Sequence, residues 1–135
     1  MTTASDTSTA MTVERLNEFQ AAWNAHDVER IVAFFTPDGA YLGSVGPDDD
    51  GTAFRGIDEV RRGVTAFLTM YPDAHYSDVR SLLVGDRGVV QWTFSGTPAS
   101  GSLITYRGVD LFEFVGDRIR LKDAFRKERA KPIGA

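Results

Sequence analysis

The chain has 135 residues, 42% of them apolar and none of them cysteine, which suits one domain with a buried core and excludes zinc–thiolate sites, disulfides and cysteine nucleophiles. Against 19 acidic residues there are 15 basic ones, for a net charge of −4, so no basic excess favours a nucleic-acid partner. No apolar run approaches the roughly 20 residues of a membrane span.

The opening "MTTASDTSTA" has neither the basic start nor the apolar stretch of a signal peptide. Residues 1–11 therefore read as a disordered Ser/Thr-rich leader of a cytoplasmic protein. In "TVERLNEFQAAWNAH", Val13, Leu16, Phe19 and Trp23 recur at helical intervals behind a Thr12 cap. Asp27 caps a second helix, "DVERIVAFF", whose Val28, Ile31, Val32 and Phe35 form the next stripe before "TPDG" stops it. His26, at the junction, reads as exposed. A short strand, "AYLGSV", and a polar loop, "GPDDDGTAFRG", follow. Three adjacent carboxylates on such a loop read as solvated rather than as a hard-cation site. Ile57, Val60, Val64, Phe67, Leu68 and Tyr71 then mark a third amphipathic helix ended by Pro72.

Beyond it the period changes to two, and strands are expected over 75–84, 88–97, 103–115 and 118–127, with the turns "GDRG", "TPASG" and "VGDR" between them. His75, at the first strand's start, reads as a rim residue or a hydrogen-bonded structural one, and as the reserve proton carrier. The basic "RKERAK" reads as a solvated end and residues 129–135 as a tail. Helices early and antiparallel strands late make an α+β domain, with three helices on one face of a strongly curved, mainly antiparallel sheet.

The last hairpin, "RGVDLFEFVGDRIRLKDAF", carries two aspartates in its apolar rows. Tyr106, Gly108, Asp110, Phe112 and Phe114 share one face. Ile119, Leu121, Asp123 and Phe125 share another, opposite Arg118, Arg120, Lys122 and Arg126. A two-residue turn at Gly116–Asp117 pairs Phe114 with Ile119 and Phe112 with Leu121, and so sets Asp110 against Asp123. Carboxylates about 5 Å apart in a poorly solvated place titrate as a coupled pair that holds one proton, which is acid/base machinery. The competing expectation is that an arginine or backbone amides satisfy each aspartate, or that one lies at a wet rim.

The element order, with "WNAHDVERIVAFFTPDGAYLGSVG", "GIDEVRRGVTAFLTMYPDAHY", "GVVQWTFSGT" and "YRGVDLFEFVGDRIRLKDAF", resembles the SnoaL-like polyketide cyclases of the ketosteroid isomerase-like, nuclear transport factor 2-like superfamily. The resemblance covers about residues 12–127 within a single domain over 12–128. It implies a cone with an apolar internal cavity, a homodimer formed through the outer sheet face at Val109, Leu111 and Val115, and chemistry without metal or cofactor. Of the isomerase elements, Phe19 falls where a tyrosine would be, Gly43 or Ser44 where the base would be, and Asp110 on the oxyanion-hole aspartate. Of the epoxide hydrolase elements, the middle strand "VVQWTFSG" has neither the arginine nor the aspartate, and only Asp123 in "KDAF" matches.

Phe19, Trp23, Tyr41, Phe54, Trp92, Tyr106 and Phe112 are the rings expected to line the cavity. Three functions remain open. They are an enzyme working by cofactor-free acid/base catalysis through Asp110 and Asp123 on a hydrophobic carbonyl compound, a non-catalytic binding protein for a hydrophobic small molecule, and a dimerising module with a filled cone.

Overall fold

The computed structural model describes residues 9–130. Helices α1 (Val13–Asn24) and α2 (Val28–Val32) lead into strands β1 (Phe35–Leu42) and β2 (Ala53–Arg55), helix α3 (Ile57–Met70), and strands β3 (His75–Val84), β4 (Arg87–Gly96), β5 (Ile104–Val115) and β6 (Arg118–Arg126). The six strands form one open sheet in the order β2-β1-β6-β5-β4-β3. All neighbours are antiparallel except β1 and β6, which run parallel. The three helices cover its concave side, giving the expected α+β cone.

The caps act as the sequence implies. Thr12 Oγ1 accepts from Arg15 N at 3.1 Å and Asp27 Oδ1 from Arg30 N at 3.2 Å, each satisfying a backbone donor that the first helical turn leaves free. Between α1 and α2, His26 takes a positive φ of 57°. Contrary to the exposed position expected, it is half-buried, and its Nε2 bonds Ala74 O at 2.9 Å. Asn24 meets both the N–H and the carbonyl of Tyr76, at 2.8 and 2.9 Å. These contacts fasten the end of α1 to the start of β3.

Two boundaries differ from the sequence reading. The second helix stops at Val32, and β1 begins at Phe35 rather than Ala40. The polar loop contains β2, whose Ala53, Phe54 and Arg55 pair with Leu42, Tyr41 and Ala40. The core starts at Met11, inside the expected leader, while residues 1–8 of that leader and 131–135 of the expected tail lie outside the described residues. Among the described residues no helix is long and apolar enough to cross a membrane.

The main correction falls on the last hairpin. Its two-residue turn and the Phe114–Ile119 pair are as expected, but the register slips between Phe114 and Glu113. One extra residue in β6, Arg120, is accommodated there as a bulge, so that Glu113 pairs with Leu121, Phe112 with Lys122, Leu111 with Asp123 and Asp110 with Ala124. Because side chains alternate with a period of two, every residue of β6 after the bulge changes face. Lys122 turns inward and Asp123 outward, reversing both expectations, and the two aspartates do not face each other.

Candidate active site

The space expected as a cavity between helices and sheet is taken up by aromatic rings. Phe19 packs against Phe34, Phe35 and Phe112, at ring-centroid distances of 5.2 to 6.0 Å. Phe54 packs on Tyr41 at 5.5 Å. It also lies over Gly63, where any Cβ would come within 2.6 Å of the Phe54 ring.

Six side chains, one from each of six elements, enclose a single spot on the concave face. Lys122 of β6 donates from Nζ to Asp110 Oδ1 of β5 at 3.3 Å. The same ammonium lies 4.6 Å from the ring centre of Tyr41 on β1 and 5.0 Å from that of Trp23 on α1. Trp23 touches Tyr41 and, at 6.2 Å, Tyr76 on β3. Tyr76 touches Trp92 on β4 at 5.2 Å, and the Trp92 indole lies beside Asp110, closing the circuit. Asp110 is 2% exposed and Lys122 3%.

Electrostatics follow from that burial. Desolvation pushes the Asp110 carboxyl above the usual carboxylate range, while the Lys122 charge, its hydrogen bond and the Trp92 indole pull the other way without cancelling it. Burial, then the Asp110 charge, lifts the Tyr41 phenol far above its ordinary value. For Tyr76, burial is followed by Tyr41 and then Asp110. The indole N–H groups of Trp23 and Trp92 are buried without a hydrogen-bond partner. That of Trp92 is near enough to Asp110 to favour its charged form but makes no bond of good geometry.

Asp123 stands elsewhere. It is half-buried in a cleft of about 570 Å³ on the outer side, with Gly43, Ser44, Asp48, Asp49, Asp50 and Arg126 among the lining residues. Burial, followed by Asp50 and Asp110, raises its carboxyl. Tyr106 is held at the edge of the ring cluster by Arg126, whose Nη1 donates to Tyr106 Oη at 3.0 Å and whose guanidinium lies 4.5 Å over the ring. With Ile104 and Leu103 it lines a surface cleft of about 360 Å³. His75 is exposed, as a rim position implies. Among the described residues no group of three or more His, Asp or Glu side chains is placed to hold a metal ion.

Of the sequence candidates, the structure brings together Asp110, Trp23, Tyr41 and Trp92. Phe19, Phe54, Phe112 and Tyr106 pack around them, and Asp123 is left out. Sequence reasoning missed Lys122, Tyr76 and Arg126. One signal for Lys122 was present: an aspartate in the nominally buried row of "RIRLKDAF", which a change of face between Ile119 and Asp123 would move outward.

Residues 15–121 match the SnoaL-like domain family. No curated protein sequence matches the chain. Among solved structures, a ketosteroid isomerase-like fold protein from Catenulispora acidiphila, in complex with trimethylamine, superposes with a TM-score of 0.75 at 15% identity, covering 91% of each chain. A candidate polyketide cyclase from Xanthomonas campestris pv. campestris gives 0.72 at 16% identity over 83% of this chain and 87% of its own. A nuclear transport factor 2-like protein of unknown function from Burkholderia pseudomallei gives 0.73 at 21% identity over 84% and 88%.

Proposed function

The chain belongs to the SnoaL-like domain family, and from that membership we propose that it is a small-molecule enzyme using cofactor-free acid/base chemistry on a hydrophobic, carbonyl-bearing substrate. The observation that carries this reading is Asp110, a carboxylate buried among rings, made more basic by desolvation and held by one lysine. A base raised toward neutrality abstracts a carbon acid's proton better than a surface aspartate does. Asp110 takes the proton next to the substrate carbonyl and returns it at another position, which serves isomerisation, dehydration or ring closure alike. Lys122 opposes that desolvation and favours the charged carboxylate. Tyr106 touches Trp92 at 6.2 Å and, with Leu103 and Ile104, lines the surface cleft, which makes that cleft the entrance this reading assigns to substrate.

Solvent-deuterium incorporation into 1-tetralone, followed by mass spectrometry, tests this. The protein is expected to accelerate exchange at the α-carbon, and Asp110→Asn to remove the acceleration, a loss of about 10²–10⁴-fold, while circular dichroism stays unchanged. Ketone binding without exchange would replace this reading with the second one, a non-catalytic binding protein. That alternative is favoured by Phe19, which brings no hydroxyl, and by Gly43 and Ser44, which sit in the Asp123 cleft instead of the ring. The relative solved with trimethylamine is a small-molecule complex on this fold and is compatible with either reading.

We also propose a second copy of the chain as the partner of the convex face. Leu82, Val84, Val89, Leu111 and Val115 are large apolar side chains exposed there. The pairs Leu82–Val89 and Val89–Leu111 make them one continuous row across three strands.

A further inference from the structure

Beyond Tyr106, the end of the sheet gathers positive charge that its neighbours do not offset. Lys127 N donates to Arg107 O at 2.7 Å, extending the β5–β6 ladder one step past Gly108 and Arg126, so two cations stand side by side on neighbouring strands. Two residues on, Arg129 donates to Thr105 O and Oγ1 at 3.1 and 3.4 Å. Those acceptors are neutral and leave its charge uncompensated. The acid that lines the same surface, Glu128, is engaged elsewhere, with its Oε2 2.8 Å from Arg126 Nη2. Among the described residues neither Arg107 nor Lys127 forms a side-chain hydrogen bond or ion pair. Like charges opposite each other on adjacent strands are destabilising, and here they occur in a chain whose net charge is −4.

These cations border two adjoining clefts. Arg107, Lys127 and Arg129 line one of about 310 Å³. The other, of about 360 Å³, is the cleft of Leu103, Ile104 and Tyr106, where Leu103 is 50% exposed. Thr105, Tyr106, Glu128 and Arg129 belong to both, so a basic cleft and an apolar one share a wall. A molecule that fills both needs an apolar portion and an anionic head roughly 10 Å apart, the rise along β5 from Ile104 to Arg107.

We propose that the two clefts form one binding site for a small amphipathic phosphate, its apolar chain against Leu103 and Ile104 and its head among Arg107, Lys127 and Arg129. A phosphate monoester carries close to two charges at neutral pH and three acceptor oxygens, which suits three cations better than the single charge of a carboxylate. Guanidinium forks bind such oxygens in pairs. A concave apolar wall fits the chain of a single molecule, whereas docking on a bilayer calls for an apolar face that inserts into it. The head site lies roughly 13 Å along β5 from Leu111, clear of the apolar row assigned to a second copy. It rests on the surface clefts alone, shares only the Tyr106 cleft with the proposed function, and does not depend on Asp110.

Isothermal titration calorimetry on the full chain, using n-octyl phosphate below its micelle concentration, 1-octanol, octylammonium and inorganic phosphate, tests the proposal. Octyl phosphate is expected to bind saturably and about tenfold or more tighter than octanol or inorganic phosphate, since exposed charge contacts are individually weak and act here together with the chain. Octylammonium is expected not to bind. Raising the salt from about 0.05 to about 0.3 M should weaken octyl phosphate several-fold by screening and leave octanol unchanged. Arg107→Gln combined with Lys127→Gln, both at exposed positions, should bring octyl phosphate close to the affinity of octanol with circular dichroism unchanged. Leu103→Ser should weaken both of these chain-bearing probes.

Equal affinities for octyl phosphate and octanol, a preference for octylammonium, no binding by octyl phosphate, or an affinity unchanged in the double variant or in Leu103→Ser would each overturn the site. So would cosedimentation with vesicles of phosphatidylglycerol and phosphatidylcholine in the absence of saturable octyl phosphate binding, which would make this surface a membrane contact. Octyl phosphate binding without deuterium exchange into 1-tetralone leaves the site standing and removes the catalytic reading. Exchange without that binding does the reverse.

Discussion

Lys122 and Asp110 are paired in the interior, and each makes a separate prediction. Removing the ammonium with Lys122→Met strands a carboxylate in an apolar interior, where breaking a buried pair costs about 3–5 kcal/mol. Urea denaturation at neutral pH should show a loss of that size, and the double change Asp110→Asn with Lys122→Met should recover much of it. The pH dependence carries the opposite lesson. Since burial raises the folded-state carboxyl of Asp110 above its unfolded value, the folded chain holds that proton longer. Its contribution to stability is complete below about pH 4 and is lost as pH climbs through the raised value. The stability of wild type relative to Asp110→Asn should therefore fall between pH 4 and pH 7 in paired urea titrations. A difference that rises over that window would mean that Lys122 outweighs burial. Asp110 was legible in the sequence because an acid in the row of Tyr106, Phe112 and Phe114 has nowhere wet to go. Lys122 was not, because its row was decided by a neighbour two positions earlier.

At the level of elements, that neighbour is Arg120. Its guanidinium pairs with Glu113 on the outer face, and its backbone is the extra residue of the bulge. Deleting Arg120 should leave Ile119 on Phe114 and Lys122 on Asp110, with the melting temperature only modestly lowered. Inserting one alanine between Leu121 and Lys122 should instead return Lys122 to solvent, break its bond to Asp110 and lower the melting temperature well below that of the deletion. Gly108 is the complementary constraint on β5: a Cβ there would lie 2.3 Å from both Trp92 Cη2 and Phe125 O. Gly108→Ala should thus cost about 1–3 kcal/mol through overpacking and quench or shift the Trp92 fluorescence. Long elements were readable because their periods repeat: the third helix and the four late strands match the sequence reading to within one residue at each end. The first strand was cut short by Pro37 and Gly39, which look like punctuation in a sequence. The strand meanwhile absorbs an irregular stretch between Phe35 and Ala40 in its register with β6. β2, three residues long, has no period to read, and its pairing with β1 is tertiary information.

For the molecule as a whole, the helices-then-strands order was enough for the α+β class and for the curved sheet with one side buried. What the chain spacing could not reveal was how tightly the rings fill the cone, since that depends on the angle at which α1 and α3 cross the sheet. The convex face offers the molecular-scale prediction. If a second copy covers it, Leu111→Glu combined with Leu82→Glu should shift sedimentation from a dimer to a monomer without altering the interior, and a monomeric wild type would dismiss that partner. The parallel pairing of β1 with β6 has a bearing on time as well as on shape. During synthesis, at roughly 5–20 residues per second, β1 emerges early and then waits several seconds, bordered only by β2, for the strand that carries Lys122. The polar centre is the last part of the sheet to be delivered, so a nascent chain can assemble its helices and outer hairpins before the charge of Asp110 meets its counterpart.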